Sequence, residues 1–120
     1  VLFEIDDARP HARRFDGEVY VLIDRTSYSN AAVTAALIQD YGFGTIVGEA
    51  TTDMATSLGA LEQFYLPHSG LQIGYPKAHI IRPNGEERLH PVTPDIEIRV
   101  PVLGDQGDAM LDAVVALIET

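Results

Sequence analysis

The chain has 120 residues, 46% of them hydrophobic and 22% charged, which fits one globular domain and excludes both an intrinsically disordered segment and several independent cores. Eighteen acidic against eight basic residues give a formal charge of −10, so a polyanionic partner such as nucleic acid is repelled. The absence of cysteine removes disulfides, thiolate catalysis and cysteine-based zinc sites, and no apolar run has the length of a membrane span.

The sequence opens in mid-pattern at Val1 to Ile5, as expected of a piece of a longer protein. Val19 to Ile23 is a continuous apolar, β-branched and aromatic run, the profile of a central strand buried on both faces. A polar turn, Arg25 to Asn30, follows it. Ala31 to Tyr41 then reads as a helix with Val33, Leu37 and Tyr41 at helical spacing, closed by Gly42 in a left-handed position with Phe43 folding back on the last turn. Thr45 to Val47 is a second short buried strand, so that residues 19 to 47 form a strand, helix, strand unit with a parallel crossover. Residues 50 to 60 have no period and read as a loop able to line a site.

Beyond that loop, Leu61 to Leu66 and Leu71 to Tyr75, separated by Pro67-His68-Ser69-Gly70, predict a hairpin. Its second arm alternates Leu71, Ile73 and Tyr75 with polar or small residues and runs on through Ala78 to Ile81, before a Pro83-Asn84-Gly85 turn. Ile96, Ile98 and Val100 mark a half-buried strand, and Met110, Leu111, Val114, Val115 and Ile118 an amphipathic helix.

Ser29 is the residue most open to chemistry. It stands between a buried strand and the first turn of a helix, where unpaired N–H groups and the positive end of the helix dipole can hold an oxyanion formed beside a hydroxyl. Ser and Asn are also preferred helix caps, so Ser29 or Asn30 capping the helix explains the same spacing without any chemistry.

The stretch VYVLIDRTSYSNAAVTAALIQDYGFGTIVGEAT, with Leu66-Pro67-His68-Ser69-Gly70-Leu71 and Pro94-Asp95-Ile96 further on, resembles the S41 peptidases, the family of C-terminal processing (tail-specific) and tricorn-type serine proteases. The resemblance covers most of residues 17 to 100. It implies an α/β fold of the ClpP/crotonase-like kind, with a mixed sheet, strand-turn-helix units and a hairpin. It makes Ser29 the nucleophile of an acyl-enzyme mechanism, with the N–H of Ser29 or of Asn30 in the oxyanion hole and Ser27 a neighbour. In the processing branch a Lys ends the V-G-E-x-T segment and acts as base. The matching position here is Met54, whose thioether takes no proton, and the chain's single Lys, Lys77, lies after the hairpin.

Tricorn-type relatives use a His upstream of the nucleophile together with a Glu. Of the four histidines, His11 reads as an exposed loop residue, and His68, His79 and His90 as structural or solvent-exposed; Glu86 or Glu87 falls within about a residue of the family's Glu. The Asn- and Gly-rich segment that completes the family's hole has no counterpart before Asp16-Gly17. The expectation is therefore the nucleophile-bearing part of a catalytic domain, inactive alone, whose base is a His outside this chain and whose substrate is a peptide or protein.

Glu49 reads as a bracket for the next loop rather than a catalytic acid. Asp6, Asp7 and Asp53 do not make a metal site, and no metal or cofactor is assigned. The competing expectation is a domain that kept the fold, lost the chemistry and binds a peptide or apolar ligand. A nucleotide-binding domain is disfavoured because the turn after the first strand contains no Gly. The compartment and the oligomeric state stay open, the family supplying both periplasmic or secreted and cytoplasmic members.

Overall fold

The computed structural model describes residues 10–99 and 108–119. The opening Val1 to Ile5 pattern, Asp6, Asp7 and Val100 lie outside the described residues.

Strand β1 (Tyr20–Ile23) leads through a turn into helix α1 (Asn30–Tyr41), and the chain returns as β2 (Thr45–Gly48), parallel to β1 with Tyr20 opposite Thr45 and Ile23 opposite Gly48. Strand β5 (Ile96–Glu97) pairs parallel to the other edge of β2. Among the described residues β2 is thus the central strand and β1 an edge. Contrary to the expectation of burial on both faces, Val19 and Leu22 are each 37% exposed, and only Ile23 of the run is buried. The parallel unit itself follows the sequence pattern.

Helix α1 meets the sheet by its small residues and not by the spaced Val33, Leu37 and Tyr41. Its buried positions are Ala32, Ala35 and Ala36, while Leu37 and Tyr41 are 38% and 60% exposed. Alanine lets the helix backbone approach the strands closely, and together with Ile23, Ile46, Ala55 and Val92 this face makes the core. The helix ends as its sequence demands. Gly42 adopts φ 67° and ψ 32°, its N–H donates to the Gln39 carbonyl at 3.1 Å, and the Phe43 N–H donates to the Ile38 carbonyl at 2.9 Å. The Phe43 ring stacks on Tyr41 at 5.5 Å.

Strands β3 (Ser57–Tyr65) and β4 (Gln72–Ile80) form the antiparallel hairpin, closed by Gly70 at φ 70°. β3 begins four residues earlier than its apolar run, so the end of the expected 50 to 60 loop is strand. Helix α2 (Ala109–Ile118) is capped by Asp108, whose carboxylate accepts from the Leu111 N–H at 3.0 Å. It buries Met110 and Val114. A Cβ added to Gly48, where φ is 126°, would lie 2.1 Å from the Ile23 carbonyl and 2.9 Å from Met110 Sδ, so only glycine fits between β1 and α2.

Candidate active site

The turn from β1 into α1 is built by its own side chains. Asp24 accepts from the Thr26 N–H at 2.7 Å and the Thr26 hydroxyl at 2.6 Å, and the Ser27 hydroxyl accepts from the Asp24 N–H at 3.1 Å. The Thr26 hydroxyl bond is the main reason the Asp24 carboxyl lies below its ordinary range. Ser27 is spent in this turn.

Ser29 then takes φ 56° and ψ −122°, and the Ala31 N–H donates to the Tyr28 carbonyl at 3.1 Å, which makes Tyr28 to Ala31 a type II′ turn with Ser29 at its first central position. Its hydroxyl makes no cap hydrogen bond, which removes the capping alternative for this residue. The Ser29 carbonyl accepts from the Val33 N–H at 3.2 Å, so the backbone caps the helix while the side chain remains exposed. Within the first helical turn the Asn30 N–H has no acceptor among the described residues.

Ser29 opens onto a cleft of about 440 Å³, walled by Tyr28, Val33, Met54, Leu58, Leu61 and Ile80. The lining is mixed, these apolar side chains facing Ser29, Asn30, Ser57 and one charge, Asp53. Asp53 arrives on the segment after β2, which is fastened on both sides. Thr51, 2% exposed, accepts from the Val92 N–H at 3.0 Å and donates to the Asp53 carbonyl at 2.6 Å; Thr52 donates to the Arg25 carbonyl. Thr56, 1% exposed, donates to the Glu86 carbonyl at 2.5 Å. The segment that reads as a periodless loop is therefore held in place.

Its tip meets the candidate nucleophile. Asp53 Oδ2 accepts from the Ser29 N–H at 2.6 Å, and Oδ1 from the Met54 N–H at 2.9 Å. Sequence reasoning weighed Asp53 only as a metal ligand and missed this contact.

Met54, at the position where the processing branch carries its Lys, lines the same cleft. The other candidates lie elsewhere. Lys77 pairs with Glu62 on the hairpin, and His68 and His79 are exposed on its turn and second strand. His11 accepts from the Arg13 N–H. Glu86 is held at a pKa of about 2, first by the Arg88 guanidinium and then by the Arg88 N–H, and stands 3.8 Å from His90. Glu49 meets Arg25 at 3.5 Å. No histidine or lysine lines the Ser29 cleft.

A polar cluster centred on a buried ion pair explains two of the sequence segments. Arg82 forms a two-pronged pair with Asp40 at 2.6 and 3.0 Å and reaches Gln39 at 3.2 Å. Gln39 continues to Asp95 at 2.8 Å, and Asp95 exchanges two bonds with the Ile46 backbone at 2.8 Å each. Gln39-Asp40 is thus joined to Pro94-Asp95 through Gln39 and to Arg82 through the ion pair, which ties the end of α1 to β2 and to the chain leading into β5.

The model of peptidase family S41 matches residues 4–98. A crystal structure of mature CPAF has a TM-score of 0.57 and 24% identity, over 73% of this chain and 17% of that one. A CPAF mutant gives 0.55 and 23%, over 74% and 17%. At such identities the likeness carries the mixed α/β fold, and the chain spans about a sixth of the length of those structures. No curated protein matches.

Proposed function

The chain belongs to peptidase family S41, and from that membership we propose that it is the nucleophile-bearing part of a serine peptidase in which Ser29 attacks the peptide carbonyl. The observation that carries this reading is the Ser29 hydroxyl, free of any cap bond, on a type II′ turn at the start of α1 and beside a cleft. As Ser29 Oγ bonds to the carbonyl carbon, its proton passes to a base and the carbonyl oxygen gains the charge, which on this reading the Asn30 N–H receives. Collapse of that intermediate expels the amine, and water then cleaves the acyl-enzyme.

The base is a histidine from the part of the catalytic domain outside these residues. In support, Met54 stands where the processing branch has its lysine, and neither a histidine nor a lysine is among the described residues lining the cleft. The substrate is a peptide, with apolar side chains suited to the wall formed by Val33, Leu58, Leu61 and Ile80. The 120 residues alone are inactive on this reading.

In the intact protein, Ser29→Ala abolishes peptide hydrolysis and labelling by a serine-directed phosphonate. Persistence of either excludes Ser29. Peptide binding without turnover by the wild-type protein would instead mark a domain that has lost its chemistry.

A further inference from the structure

We propose that Asp53 is an internal plug of the oxyanion site, and that the arrangement seen here is a resting state which the side chain must leave before reaction; this rests on Ser29 being the nucleophile. The carboxylate holds the Ser29 N–H at 2.6 Å, one of the two donors nearest the hydroxyl. An oxyanion formed on Ser29 needs such a donor, and a single N–H cannot serve two anionic oxygens well. If the Asn30 N–H acts alone, the charge on Asp53 still faces the developing charge across the cleft.

The plug is hinged in a simple way. The Asp53 carbonyl is fixed by the Thr51 hydroxyl at 2.6 Å, and Thr52 is tied to the Arg25 carbonyl, so the backbone stays in place. Rotation of the Asp53 side chain alone releases both N–H groups into the cleft. Opening in this way breaks two hydrogen bonds and needs no loop rearrangement. A substrate carbonyl that enters the cleft competes directly with the carboxylate for the amide.

The same contact could instead brace the unusual backbone of Ser29, and the two roles predict opposite outcomes. In the intact protein, Asp53→Ala and Asp53→Asn should raise the second-order rate of phosphonate labelling at Ser29 about tenfold or more, against the roughly 10²–10³-fold that one oxyanion donor is worth. An unchanged or lower rate, with circular dichroism and melting showing a folded variant, overturns the plug. If the variants fail to fold, the wild-type protein decides it: a peptide boronate that adds to Ser29 should shift the Asp53 side-chain carboxyl and Ser29 amide resonances together, and a stationary Asp53 signal overturns the proposal. Labelling retained in Ser29→Ala defeats the nucleophile assignment. Labelling lost there but not raised in the Asp53 variants defeats the plug alone.

Discussion

Arg82 is the residue whose role is largest relative to its sequence signal. It is 8% exposed, and the side chain of its partner Asp40 is 5% exposed, so each depends on the other for the charge it buries. Burial pushes the Asp40 carboxyl up, but the Arg82 guanidinium and the Asn84 N–H outweigh it and hold the group below its ordinary range. Because the folded value is the lower one, the pair stabilises the fold above the ordinary carboxylate range, and that stability is lost as pH falls below about 4. Arg82→Ala should lower the unfolding free energy by about 3–5 kcal/mol in urea titrations near neutrality, and Arg82→Met with Asp40→Leu should restore much of it. A neutral single variant would refute the bracket. None of this could be read beforehand, since the pair lies 42 residues apart and a lone arginine between a hairpin and a turn has no period. Asp53, 24 residues from Ser29, was hidden for the same reason, whereas the place of Ser29 between strand and helix was legible.

At the scale of elements, the pattern located α1 and its Gly42 terminus but did not say which of two stripes is buried. The larger side chains Val33, Leu37 and Tyr41 form a stripe, as do Ala32, Ala35 and Ala36, and close approach to a sheet selects the smaller set. The consequence is measurable by chemical denaturation. Ala35→Leu should overpack the contact with Ile46 and Val92 and destabilise by about 1–3 kcal/mol, while Leu37→Ala should stay within about 0.5 kcal/mol. The reverse order would restore the stripe as the packed face. The hairpin was legible from its Pro and Gly turn, but the start of β3 was not, because Ser57 to Ala60 lack the apolar and β-branched content by which a strand is recognised.

For the whole molecule, the radius of gyration is 18.7 Å, where a compact domain of this length has about 14 Å. The hairpin leaves apolar side chains uncovered, Leu61 being 72% and Phe64 47% exposed, and an isolated two-stranded ribbon is marginal in water. The reading of the chain as one part of a catalytic domain accounts for these apolar faces by assigning their cover to the remainder. Residues 1–120 produced alone should then self-associate in sedimentation velocity and bind a dye that lights up on apolar surface. A monodisperse, dye-silent monomer would show that these faces need no cover.

The type II′ turn at Ser29 bears on whether the chemistry persists. Glycine enters that backbone conformation freely, while any residue with a side chain is penalised there by roughly 1–3 kcal/mol. A relic that had ceased to cleave peptides would gain by drifting to glycine, and one needing only a cap would be served by a serine in relaxed geometry. On the proposed reading, the penalty at Ser29 is the cost of keeping a hydroxyl at the head of α1.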